Sequence, residues 1–154
     1  MTKYLLDTNV VLRFSNPSDS QHDLATEAVA TLLLQGNECY LTAQILIELW
    51  VVSTRPVDVN GLGWSVQQTH DVVEQLLNRF PLADETSEIF PSWFSLVTDN
   101  QINGKRTHDA RIAAVMLTSG MNHILTLNPN DFSEIPGIAI VHPRQVLEEA
   151  TKTE

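Results

Sequence analysis

The sequence predicts an α/β protein built on a parallel sheet, and three observations predict it. Short apolar runs of strand length stop abruptly at polar residues: Tyr4-Leu5-Leu6 before Asp7-Thr8-Asn9, and His123-Ile124-Leu125-Thr126-Leu127 before Asn128-Pro129. Such runs read as strands buried on both faces, as parallel sheets require. Stretches with helical periodicity lie between them, and one helix between two strands makes a βαβ unit with a right-handed crossover. Finally, 154 residues with 43% hydrophobic content suit one domain with a real core. Residues 1–150 are expected to form that domain and residues 151–154 a frayed tail.

Charge and cysteine content narrow the classes. The formal net charge of −10 argues against a protein that grips nucleic acid by broad attraction. It leaves room for an acidic metal site whose ion cancels part of that charge. The bases are unevenly placed: Lys105, Arg106 and Arg111 sit close together, whereas Asp84, Glu85, Glu88 and Asp99 have no base between them. A lone cysteine, Cys39, excludes an internal disulfide framework and suits a buried inert thiol in a reducing cytoplasm. No run resembles a signal peptide or a membrane span, so a cytoplasmic location is expected.

Taken in order, the first strand ends at Asp7, and residues 10–14 lead off the sheet edge. Asn16-Pro17-Ser18-Asp19 is a turn. Asp19 or Ser20 caps a helix over residues 21–34 with Leu24, Ala28, Val29, Leu32 and Leu33 inside, closed by Gly36. Residues 39–42 form the second strand. Residues 43–54 form an apolar helix with Glu48 in its middle, between Ile45 and Val52, where no free solvent face is obvious. A loop over residues 55–63 is the least constrained stretch. A helix over residues 65–79 follows, carrying His70 as a surface histidine, and residues 81–83 are a short strand or a connector. A helix over residues 87–97 carries Trp93, Phe94 and Val97 as core, with Pro91 required to fall in its first turn. Thr107 caps the next helix and sets Asp109 in the first turn, at the positive end of its dipole. Strands over residues 123–127 and 138–141 and a helix over residues 144–150 complete the chain.

In a parallel sheet, strand carboxyl ends and helix amino ends share one edge. Asp7, Asp109 and the loop holding Asn128 and Asp131 therefore converge there, and Glu48 can join from its helix. Each has a structural alternative: Asp7 as a cap or Asx-turn, Asp109 as an ordinary first-turn acid. Several carboxylates in one cleft repel one another unless a divalent cation lies between them. Oxygen donors without a His or Cys cluster favour Mg²⁺ or Mn²⁺ over Zn²⁺. Such a site suits phosphodiester hydrolysis. No phosphate-binding loop, HExxH, CxxC or GxSxG motif offers another chemistry.

These residues carry a resemblance. Leu5-Leu6-Asp7-Thr8-Asn9, Glu48 on the second long helix, His108-Asp109-Ala110 followed by Ile112-Ala113-Ala114, and Thr126-Leu127-Asn128 with Asp131-Phe132 resemble the PIN-domain family, and more narrowly its VapC-type toxin ribonucleases. The resemblance covers nearly the whole chain, in order. It implies a three-layer α/β/α PIN-like domain with a central parallel sheet and metal-dependent endoribonuclease activity on RNA. It implies Asp7, Asp109 and Glu48 as metal-binding acids, with Mg²⁺ or Mn²⁺ as cofactor and Thr8 as a supporting hydroxyl. The fourth acidic position falls to Asp131 as a catalytic residue or to the neutral Asn128. An antitoxin protein as partner and a homodimer are implied as well. Lys105, Arg106 and Arg111 are candidates for the RNA backbone, or else a solvated helix start. Two other readings stand beside this one: a catalytically silent PIN-like module that binds RNA or protein, and an aspartyl-nucleophile phosphatase. Against the last, Asn9 stands where that chemistry wants a second acid.

Overall fold

A computed structural model describes residues 1–152. Four parallel strands form the sheet: β1 (Lys3–Leu6), β2 (Glu38–Tyr40), β3 (His123–Leu125) and β4 (Ala139–Val141), in the order β2-β1-β3-β4. Helices α1 (Thr8–Ser15), α2 (His22–Leu34), α3 (Ala43–Thr54), α4 (Val66–Arg79), α5 (Ile89–Asp99), α6 (Arg106–Thr118) and α7 (Pro143–Lys152) flank it. The α/β class with a central parallel sheet is as the sequence predicts.

The strand order decides where a site can lie. From β1 the chain moves outward to β2, returns past β1 to β3, and continues to β4. The connections from β1 and β3 thus leave in opposite directions, and a crevice opens at the carboxyl ends of these two neighbours. Both strands are anchored beneath it. Leu5, Leu6, Ile124 and Leu125 are fully buried, each contributing roughly 1.5–3 kcal/mol of burial. Register is set by Leu6 facing Leu125, and the Asp7 amide donates to the Leu125 carbonyl at 3.0 Å.

Several boundaries differ from expectation, for identifiable reasons. Residues 10–14 belong to a full helix, α1, whose N-cap is Asp7. Neither Asp19 nor Ser20 occupies the cap of α2. Asp19 instead accepts the Gln21 amide at 2.8 Å, one turn earlier, and Gln21 sits at the cap. The end of α2 is a Schellman motif: the Asn37 and Gly36 amides bond the Leu32 and Leu33 carbonyls, with Gly36 at φ +88°. Leu33 lies outside on α2, and Ala25 takes the buried place. On α5, Pro91 falls in the first turn as required, but Phe94 is exposed. Helix α6 starts at Arg106, before Thr107, whose hydroxyl donates to the Gly104 carbonyl. Helix α7 runs through Lys152, so Thr151 is helical; residues 153 and 154 lie outside the described residues.

The loop after α3 is held more firmly than its composition suggests. Gly61, Leu62, Gly63 and Trp64 donate backbone bonds to Pro56, Val52, Arg55 and Ser53. The chain folds back so tightly that a Cβ at Gly61 would lie 1.9 Å from the Arg55 carbonyl oxygen, which only glycine permits. Ser65 and Gln68 then close a capping box at the start of α4.

Candidate metal centre

Asp7 leaves β1 at the crevice and is 95% buried, with 5% of its surface exposed. Its Oδ1 accepts the Thr8 amide at 2.8 Å, so it does cap α1. Its Oδ2 accepts the Thr126 hydroxyl at 2.7 Å and the Asn9 side-chain amide at 3.2 Å. Asn9 also reaches Thr126 Oγ1 at 3.2 Å, and its side-chain Oδ1 accepts the Leu127 amide at 3.0 Å. Asp7, Asn9 and Thr126 thus lock the end of β1 to the end of β3. Two bonds use up the lone pairs of Oδ2, and Oδ1 keeps one for a further partner. Capping and site readings of Asp7 are therefore compatible.

Glu48 arrives from α3. Its Oε2 accepts the Thr8 hydroxyl at 2.7 Å and its Oε1 the Gln44 amide at 3.2 Å. The same Gln44 nitrogen donates to the His108 carbonyl at 3.0 Å, and Gln44 Oε1 accepts Arg111 at 3.3 Å. Gln44 consequently ties α3 to the first turn of α6, where Asp109 stands half-buried. Among the described residues the Asp109 carboxylate accepts no hydrogen bond. Asp131 lies in the short 3₁₀ turn Pro129–Phe132 and is exposed.

Electrostatics ties the four acids into one group. Burial pushes Asp7 up to about 6, against its bonds to Thr126 and Thr8, and the charges of Glu48 and Asp131 add to the rise. Burial, then Asp131, Asp7 and Glu48, push Asp109 up to about 7, with Arg106 opposing. No ion pair among the described residues includes any of the four. Arg106 pairs with Glu134 at 2.8 Å, and Arg111 with Glu85 at 3.0 Å. Lys105 stands exposed just before α6, and Asn128 is exposed beside β3 with its amide on Thr126 Oγ1.

This donor set fits a hard divalent cation. It is all oxygen, one carboxylate is buried without a cationic partner, and burial, then their neighbours' charge, makes two carboxylates hold their protons more tightly. The four acids are not packed tightly: among the described residues, the group whose ligand atoms all lie within 4.8 Å is His70, Asp71 and Glu74, exposed on α4. Those three also form ordinary surface ion pairs along the helix. Wider spacing in the crevice suits Mg²⁺, which binds through one or two carboxylates and keeps several waters.

Asn9, Gln44 and Thr126 are the site residues whose roles sequence reasoning missed. Asn9 and Thr126 stand in the quoted motifs. Their function is a bond across 117 residues of chain, which no local pattern encodes. Gln44, four residues before Glu48, carried a helical-spacing signal that could have found it.

The comparisons agree with this fold. The fold resembles the Rickettsia felis VapBC2 complex bound to a promoter DNA fragment, at TM-score 0.68 and 20% identity, over 92% of this chain and 98% of that one. It resembles VapBC-1 from nontypeable Haemophilus influenzae at TM-score 0.67 and 17% identity, over 93% and 99%. Mycobacterium tuberculosis VapC20, a toxin that cleaves the sarcin–ricin loop, aligns at TM-score 0.55 and 17% identity, over 79% and 86%. No curated protein matches the chain in sequence. Among the described residues no helix is long and apolar enough to cross a membrane. The PIN domain model matches residues 4–138, from the first strand to the threshold of the last. By that match the chain belongs to the PIN-domain family.

Proposed function

We propose that this protein is a Mg²⁺- or Mn²⁺-dependent endoribonuclease acting as the toxin of a toxin–antitoxin pair in the cytoplasm. One observation supports the reading: Asp7, Glu48, Asp109 and Asp131 come from separate elements and act on one another through their charges, and among the described residues none is in an ion pair. Asp7 and Asp109 would hold the ion, with Glu48 joining them directly or through water. When bound, it would supply a water activated for attack and neutralise charge building on the scissile phosphate.

The chain's own residues do the rest. Thr126 and Asn9 hold Asp7 through its Oδ2, which leaves one lone pair of Oδ1 open beside its bond from the Thr8 amide. Thr8 and Gln44 fix both oxygens of Glu48. Asp131, exposed and near Asp109 in charge, is placed to orient a water at the open side. Asn128 keeps the end of β3 in place through its amide. Lys105 is free to meet a phosphate, whereas Arg106 and Arg111 must leave Glu134 and Glu85 to do so. The phosphatase reading lacks support because Asn9 stands where that chemistry wants a second acid, and its side-chain amide donates to Asp7 Oδ2 and Thr126 Oγ1.

Structural likeness to toxin–antitoxin complexes favours a protein partner, and the resemblance to VapC-type toxins adds a homodimer. Ile47 and Val51 on α3 and Val66 and Leu77 on α4 are exposed, which gives such partners an apolar surface. The test is cleavage of a panel of structured and single-stranded RNAs with Mn²⁺, with Mg²⁺ and with EDTA. Metal-dependent cleavage that Asp109→Asn reduces at least about 100-fold is expected. Equal cleavage by mutant and wild type would remove the assignment, and no cleavage together with no metal binding would favour the silent module.

A further inference from the structure

Helix α5 presents aromatic rings to solvent beside the acidic cleft. Phe90 and Phe94 stack with centroids 5.9 Å apart and planes 11° from parallel, and Phe90 meets Trp93 at 5.6 Å. Phe90 is 65% exposed and Phe94 59%. Trp93 is held in orientation: its indole N–H donates to the Thr107 carbonyl at 2.8 Å, two residues before Asp109. Thr86, Ile89, Phe90, Trp93 and Arg111 enclose a cavity of about 370 Å³. A second cavity, about 510 Å³, is lined by Gln44, Ile47, Glu48, Glu85, His108 and Arg111. Arg111 is a wall of both, so the aromatic cavity adjoins the one that reaches Glu48.

We propose that this shelf stacks an unpaired nucleobase of the RNA strand whose backbone enters the acidic cleft. The proposal rests on the nuclease reading and adds a base-stacking contact on α5 to its site. Three features favour a base over an apolar protein segment. The surface is aromatic, and every base offers a π-face to such a ring. A guanidinium borders it, which can stack on a base or meet a phosphate. It also adjoins the site where the phosphodiester would lie. By contrast the cavity of Leu46, Ile47, Trp50, Val51 and Val73 on α3 and α4 has no charged wall, which is the chemistry of a helix-binding groove. Stacking also suits a chain this acidic, because it adds affinity without requiring more bases.

The test compares Phe90→Ala and Phe90→Trp with wild type on a single-stranded RNA, by KM and kcat in Mg²⁺. Affinity for the same RNA is followed by fluorescence anisotropy in an Asp109→Asn background. Phe90→Ala is expected to raise KM and weaken binding about tenfold, to leave kcat nearly unchanged, and to leave the salt dependence of binding unaltered, since no phosphate contact is lost. Phe90→Trp restores affinity. One abasic nucleotide in the RNA reproduces the loss in wild type and adds nothing to Phe90→Ala. Wild type that cleaves RNA with metal while Phe90→Ala matches it in KM and affinity overturns the shelf and leaves the nuclease standing. A change in oligomeric mass with RNA binding intact also overturns it, and makes the shelf a protein contact. Wild type that neither binds nor cleaves RNA removes both readings.

Discussion

Asp7 and Asp109 are held in different ways, and the difference is measurable. Both are raised above the ordinary carboxylate value, to about 6 and about 7. The folded protein therefore holds protons more tightly than the unfolded chain between about pH 4 and pH 7, and metal-free stability falls as pH rises through that window. For Asp7 the loss is on the order of 3 kcal/mol when complete. A divalent cation reverses it by favouring the ionised forms. Thermal unfolding should show a metal-free melting temperature that drops from pH 5 to pH 7.5, and a Mn²⁺ stabilisation larger at pH 7.5. Asp109→Asn removes charge without breaking a hydrogen bond, so it should raise the metal-free melting temperature at pH 7.5 and change little at pH 5. Asp7→Asn should give no such gain, because the Thr126 hydroxyl and the Asn9 amide lose a carboxylate acceptor. An Asp109→Asn shift of equal size at both pH values would mean that ionisation of Asp109, opposed by burial and by its acidic neighbours, is not the cause. The elements that carry the four acids were legible, since strand ends and helix starts show in the residue pattern. The bonds that aim them were not, because Thr126 and Asn9 act across the length of the chain.

Among the elements, strands and helices were legible by alternation and periodicity, and boundaries failed where tertiary contacts decide them. The helix over Ala43–Thr54 agrees fully, since Thr42 caps it through the Ile45 amide and Arg55-Pro56 stops it. Phe94 was misplaced because apolar periodicity on α5 marks two faces, one against α6 and one carrying the exposed rings. Composition made the loop before α4 look free, whereas its glycines serve close backbone approach. The two elements that matter most to the site, α3 and α6, are joined at the crevice by Gln44, whose amide nitrogen is shared by Glu48 and the His108 carbonyl. Gln44→Leu keeps the size and helix propensity but leaves Glu48 Oε1 without its donor. Groups that orient a metal's ligands typically change affinity 10–100-fold when removed. Calorimetric titration with Mn²⁺ should show at least about tenfold weaker binding for Gln44→Leu, with the melting temperature of the metal-free protein nearly unchanged. Unaltered affinity would show that α3 and α6 hold their spacing without this tie.

At the scale of the whole molecule, the sheet order and the charge set opposite demands. The order β2-β1-β3-β4 fixes a crevice between β1 and β3 and fills it with acids, in a chain whose formal net charge is −10. RNA approaching such a surface is repelled until a cation occupies the crevice, so binding should be lost in EDTA before any question of catalysis arises. Few bases can compensate. Lys105 is unpaired at the start of α6, while Arg106 and Arg111 are engaged with Glu134 and Glu85. Each phosphate neutralised on a single strand steepens the dependence of log affinity on log salt by about 0.7. If Lys105 is the main contact, the slope in Mg²⁺ should be close to that of one phosphate, about −0.7, and Lys105→Ala should flatten it almost to zero. If Arg106 and Arg111 let go of their acids on binding, the slope should approach about −2, and each of the three alanine variants should flatten it by about 0.7. Anisotropy titrations in the Asp109→Asn background over a range of KCl separate the two cases. A steep slope that no alanine variant alters would place the phosphate contacts elsewhere on the molecule and leave the α6 bases as a solvated helix start.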